Sequence, residues 1–94
     1  SNPLGFHFDL GDKEMNNGED YIFLDYLSDR LVGFDNFGGY KTSIQITIYS
    51  KDFLKRKQAV SYVRKFIPMS IEYQGSAEGN YFEAILRGEI ILNG

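Results

Sequence analysis

The chain has no cysteine among its 94 residues, which excludes disulfides, thiolate metal sites and cysteine nucleophiles. It has one histidine, His7, set between Phe6 and Phe8, where packing filler or surface exposure fits better than a general base or a metal ligand. No apolar run approaches the roughly 20 residues of a membrane-spanning helix, and no signal-peptide pattern is present. The spacings of HExxH, of a nucleophile elbow and of an EF-hand loop are missing. Gly38-Gly39 lacks the Gly-Lys-Ser/Thr end of a phosphate loop, and a turn needing positive φ explains both glycines. Acidic residues are plentiful, but no two have a distinctive spacing. These absences leave no catalytic residue, metal site or cofactor to nominate, and the chain is not expected to be an enzyme.

What the chain does have is centred on Tyr40–Ser50. Ile44, Ile46 and Ile48 share one parity, continued by Thr42 and Tyr40, while Ser43, Gln45, Thr47 and Tyr49 take the other. That period of two predicts a strand with one buried face. After Ser50 the period becomes helical: Phe53, Val60, Val63 and Ile67 recur on one stripe, widened by Ala59, Tyr62 and Phe66. Ser50 is the expected cap, Asp52 suits the positive end of the helix dipole, and Pro68 ends the helix, which spans about residues 51–67.

The remaining segments are shorter. Leu4, Phe6, Phe8 and Leu10 alternate and predict a short strand weakened by Gly5, followed by a polar, turn-rich loop over 11–20 with a tight turn at Asn17-Gly18. Residues 1–19 as a whole are expected to be a flexible lead-in. Tyr21–Ser28 is nearly continuously apolar, as in a strand covered on both faces, with a bend at Ser28-Asp29. Residues 30–35 are expected as a short strand or irregular arm, and Phe34–Tyr40 as a glycine-containing loop. Met69, Ile71 and Tyr73 share a parity, 74–80 reads as a turn, and 81–92 as the closing strand with a mainly polar second face. The expected class is α+β: one domain over residues 1–94, a small, mainly antiparallel sheet of four to six strands, and one helix packed on one face.

Eight Phe and seven Tyr are more aromatic surface than a small core obviously needs, which fits burial between subunits and equally fits tyrosines that rim the core with their hydroxyls in water. The net charge of −3 is unevenly spread. Residues 1–36 hold Asp9, Asp12, Glu14, Glu19, Asp20, Asp25, Asp29 and Asp35 against Lys13 and Arg30, whereas 51–67 hold Lys51, Lys55, Arg56, Lys57, Arg64 and Lys65 against Asp52. Two opposed patches on one small domain allow a head-to-tail contact between copies. The plainer explanation of the basic run is a solvated helix face. Nucleic acid is not an expected partner of an acidic chain without an RNA-binding aromatic motif. The first residue is not Met, and Ser1-Asn2 reads as a cloning scar, so the natural protein is expected to begin upstream.

A one-sided strand ending in an aromatic-Ser pair, then a polar-acidic step into an amphipathic helix, runs as Ile44-Gln45-Ile46-Thr47-Ile48-Tyr49-Ser50-Lys51-Asp52. This arrangement, with a strand at Tyr21–Asp25 before it and one at Phe82–Leu92 after it, resembles the tail terminator and head–tail joining (minor capsid, tail-completion) proteins of long-tailed bacteriophages. The similarity covers residues 20–92. The family's usual N-terminal helix has no counterpart here, and Leu4–Leu10 has no counterpart in the family. The resemblance implies a non-enzymatic virion component, assembled in the bacterial host cytoplasm. It would form a ring of copies, usually six, that contacts tail-tube and head-connector proteins and no membrane. It also implies that Asp25, Asp29 and Asp35 face Lys55, Arg56 and Arg64 of a neighbour, and that Phe34, Phe37 and Tyr40 project toward the lumen or the next ring. The alternative reading is a small α+β module that binds a peptide or small ligand.

Overall fold

The computed structural model describes residues 5–11, 18–34 and 37–93, with side chains over 5–11, 18–27 and 41–90. Among them the elements run β1 (His7–Leu10), β2 (Tyr21–Phe34), β3 (Phe37–Ser50), α1 (Phe53–Phe66), β4 (Met69–Ala77), a one-turn 3-10 helix (Glu78–Asn80) and β5 (Tyr81–Asn93). The strands form one sheet in the order β1-β2-β3-β5-β4. Every neighbouring pair is antiparallel except β1 and β2, which are parallel. This is the expected α+β arrangement, a mainly antiparallel sheet in which the β1–β2 pairing is the parallel exception. Parallel pairing needs a connection that returns to the same end of the sheet, which a tight hairpin turn could not do. Within the lead-in expected to be flexible, β1 is paired with the sheet and Phe6 is buried in the core.

The alternation in β3 sets the layers. Ile46 stands between Leu24 and Leu86, and Ile48 between Ile22 and Ala84. These residues face α1, whose Ala59, Val60 and Val63 complete the core. The buried stripe of the helix begins at Arg56, not at Phe53, so Phe53 and Phe66 lie to its sides and are exposed. Asp52 caps the helix, accepting from the N–H groups of Leu54 (2.8 Å) and Lys55 (3.2 Å), two residues later than the expected Ser50. Ile67 is extended before Pro68 and closes the last turn, as the sequence predicts.

The opposite face of the sheet is drier than its polar parity suggests. Tyr21, Phe23, Thr47 and Tyr81 are buried there. Ring contacts run in series, His7 to Tyr21 (5.2 Å), Tyr21 to Phe23 (5.6 Å), Phe23 to Tyr49 (6.0 Å) and Tyr49 to Tyr81 (6.1 Å). Tyr21 and Phe23 are therefore covered on this face as Ile22 is on the other, as expected for the start of β2. Further along, Tyr26 and Leu27 are exposed.

Two register shifts alter the expected parities. One, between Tyr26 and Ser28, lets β2 continue through the expected bend to Phe34. The other, between Ile71 and Tyr73, turns Tyr73 to the face opposite Ile71. Phe34 and Phe37–Tyr40 belong to the long β2–β3 hairpin, paired as Phe34 with Phe37 and Leu31 with Tyr40, where a loop was expected. The turn before β5 is confined to Glu78–Asn80, where Gly79 (φ 75°) and Asn80 (φ 62°) both take the left-handed region. The expected Asn17-Gly18 turn lies partly outside the described residues.

Candidate functional site

The junction of β3 and α1 is held by one carboxylate. The buried Ser50 donates its Oγ–H to Asp20 Oδ1 at 2.7 Å and accepts the Asp52 N–H at 3.1 Å. Lys55 Nζ reaches Asp20 Oδ2 at 3.4 Å, and the Asp20 carbonyl accepts the His7 N–H at 2.9 Å. Asp20 thus fastens β1 and the start of the helix to the end of β3. The same contact neutralises Lys55 within its own chain.

Every charged residue inside α1 is basic: Lys55, Arg56, Lys57, Arg64 and Lys65. They do not play one role. Arg56 is only 5% exposed. Its guanidinium lies over the rings of Phe53 (4.9 Å) and Phe82 (5.9 Å), and its Nη1 makes long contacts to the carbonyls of Gly75 (3.4 Å) and Glu83 (3.5 Å). Its Nε has no hydrogen-bond partner. A charge held this way is stabilised mainly by ring faces and packing of its stem, so Arg56 is part of the fold and not of an exposed patch. Lys57, Arg64 and Lys65 are exposed, with the Lys57 Nζ over the Phe53 ring at 5.0 Å.

Large apolar side chains accompany these charges at the surface. Leu54 is 65% and Phe66 69% exposed on the helix, and Phe8 and Leu10 are 58% and 56% exposed on β1. An apolar cleft of about 170 Å³ runs between α1 and the first strands, with Phe8, Leu24, Tyr62, Phe66 and Ile67 along it. A shallow trough of about 360 Å³ lies along the outer side of α1, lined by Leu54, Lys57, Gln58, Ser61, Tyr62 and Lys65. A third, open depression of about 470 Å³ contains Glu72, Arg87 and Glu89. There Arg87 donates to Gln45 Oε1 (3.0 Å), and Glu89 pairs with Lys41 (3.2 Å). Among the described residues no three His, Asp or Glu side chains gather as a metal site, and no helix is long and apolar enough to cross a membrane.

The residues nominated from sequence for contacts between copies are described only in part. Asp25 is half-buried on β2 beside the Gly11 turn. Asp29, Phe34, Phe37 and Tyr40 have their backbones in the hairpin, and their side chains, like all of Asp35, lie outside the described residues. Lys55 and Arg64 are exposed on α1 and Arg56 is buried. Sequence reasoning passed over Asp20, Leu54 and the exposed half of β1. Leu54 carried a readable signal, since it is a large apolar residue off the buried helical stripe. Compared with known proteins, the chain matches no family model and no curated sequence.

Proposed function

We propose that this chain is a structural subunit of a long-tailed bacteriophage or prophage, a tail terminator or head–tail joining component that works by ring-forming self-association. The observation that carries the reading is the exposed surface of α1. It exposes Leu54 and Phe66 among cations with no acidic residue in the helix, while the described charged residues of 5–27 are Asp9, Glu19, Asp20 and Asp25. Exposed apolar side chains within a single-sign charged rim fit a surface that a partner of opposite charge covers. The α+β fold and the strand, aromatic-Ser, acidic step and helix in series support the phage assignment through the resemblance they carry.

The test is sedimentation velocity over a range of protein concentrations at low and high salt, with electron microscopy of the largest species. Closed rings that loosen as salt rises are expected, because exposed charges are screened. A protein that sediments as a monomer at every concentration sinks self-association. The virion role is tested separately by gene neighbourhood: portal, capsid and tail-tube genes alongside are expected, and unrelated metabolic neighbours would remove the phage assignment while leaving assembly standing. The apolar cleft beside Phe66 supports a second reading, a module that binds an apolar peptide or small ligand, which a monomeric result would bring forward.

A further inference from the structure

Among the described residues, Arg56 is the cation that folding takes out of water without giving it an anion. It is 5% exposed, and the ion pairs of those residues, His7–Glu19, Lys41–Glu89 and Lys55–Asp20, pass it by. Arginine stays protonated inside a protein, and a buried charge with no counter-charge is costly. Its donors are used unevenly. Nη1 makes the two long contacts to the Gly75 and Glu83 carbonyls, whereas Nε, itself enclosed, donates to nothing. No bond among the described residues uses Nη2 either. What remains idle is the Nε–Nη2 edge of the guanidinium, whose parallel N–H groups match the two oxygens of a carboxylate.

The enclosure around this edge has one wall that reaches solvent. Phe82 lies within β5, but Phe53 is the first residue of α1 and is 44% exposed, its ring edge-on to Phe82 at 5.6 Å. The Arg56 guanidinium lies against the Phe53 ring at 4.9 Å, and the Lys57 ammonium group against the same ring at 5.0 Å. An anion arriving at Phe53 therefore meets a solvated cation first and an enclosed one behind it. No acidic residue of α1 opposes it. The carboxylate of Asp52, just before the helix, is directed at the N–H groups of Leu54 and Lys55.

We propose that Arg56 receives a carboxylate from a partner protein, which enters beside Phe53 and closes on the Nε–Nη2 edge as a two-pronged ion pair. The ligand is a carboxylate on a slender stem, either an acidic side chain or the carboxyl group of a chain end. A phosphodiester does not fit, because substituents on both sides of its phosphate hold the anion away from a guanidinium this recessed. The ring-walled setting gives the pair its strength, since charge-assisted bonds gain as water is excluded, whereas an exposed lysine pair contributes little. The site stands apart from ring formation: a neighbouring copy and a different protein can each supply the carboxylate.

The test is proton–nitrogen NMR of the Arg56 Nε–H in the unmodified protein at neutral pH, titrated with acetate against chloride at matched ionic strength. Acetate should move the signal saturably and chloride should not. A signal that ignores acetate, or follows both salts alike, overturns the site, and an equal response to dimethyl phosphate overturns the assignment to a carboxylate. N-acetylglycine and a glutamate blocked at both backbone ends then separate the two sources, the one that saturates at lower concentration naming the chain end or the side chain. Lys57→Gln, at an exposed position, should keep the fold and raise the half-saturating acetate concentration severalfold. Arg56→Lys keeps the charge and loses the fork, so the higher melting temperature expected in acetate than in chloride should vanish in that variant. Acetate stabilising Arg56→Lys as much as the unmodified protein also overturns the site. Should Arg56→Lys not fold, the titration of the unmodified protein decides alone.

Discussion

Where α1 lies over β3 and β5, the sheet is closed: Ile44, Ile46, Ile48, Ala84 and Leu86 are buried to within a few per cent of complete exclusion from solvent. On the β1 side of the same face, Phe8 and Leu10 have the same parity logic and similar hydrophobicity, yet more than half of each is in water. The difference is one of cover, because a single 14-residue helix reaches over the centre of the sheet and not over its edge. Stability is therefore expected to reside in one region and association in the other, and substitutions can be chosen to separate the two.

The largest effects belong under the helix. Ile46→Ala should cost about 2–5 kcal/mol, the usual loss for a buried aliphatic side chain that leaves a cavity, read by urea denaturation. Arg56→Glu should be comparably damaging, at about 3 kcal/mol or more, because it places a buried anion against two ring faces and backbone carbonyls. A stability for either variant within about 0.5 kcal/mol of the unmodified protein would show that the closed region is not what holds the fold. Phe8→Ser, at a site largely in water, should fall in the range of ordinary surface changes, about 0.5 kcal/mol.

Gly88→Ala comes next. A Cβ there would stand 2.8 Å from the Pro68 carbonyl oxygen and 3.0 Å from the Met69 side chain, where β4 begins against β5. Since backbone is the obstacle, relief requires the strands to shift, and about 1–3 kcal/mol should be lost. No measurable loss would mean that β4 departs from α1 more loosely than the close approach indicates. Asp52→Ala should follow at about 0.5–2 kcal/mol, the cost of a lost helix cap. Ser50→Ala should leave the Leu54 and Lys55 N–H groups capped by Asp52, its cost coming instead from the lost hydrogen bonds to Asp20 and to the Asp52 N–H.

The covered region was the legible one. Strict alternation in Ile44, Ile46 and Ile48, the helical recurrence of Val60 and Val63 and the stop at Pro68 are local signals, and each survives folding because burial and periodicity agree. The parallel pairing of β1 was not legible, since it depends on how residues 11–20 return the chain. Nor were the register shifts at Leu27 and Glu72, which turn parity over without any residue type that demands it. Arg56 misled for a physical reason: an arginine in a basic run resembles its neighbours until the rings of Phe53 and Phe82, one residue of which is 26 positions away in the chain, are brought around it. The edge surfaces were half legible. Apolar residues were visible at Phe8, Leu10 and Leu54, but which of them the helix would fail to cover is a property of the assembled layers.

The smallest expected change in stability carries the most information about association. Lys57 follows Arg56 directly in the chain, but its ammonium group is in solvent above Phe53, where Arg56 is enclosed. Lys57→Glu should therefore alter unfolding by no more than about 0.5 kcal/mol. In a contact between copies that sets this basic surface against an acidic one, however, the new carboxylate would meet like charge at the rim. Association should weaken at low salt, and the deficit should narrow as salt rises, because screening removes repulsion as it removes attraction. Sedimentation equilibrium of the two proteins across a salt series reads both effects at once. A Lys57→Glu variant that associates as well as the unmodified protein at low salt would show that the outer trough of α1 faces solvent in the assembly, and the exposed helix would then be what the bland reading of its charge takes it to be, a solvated surface.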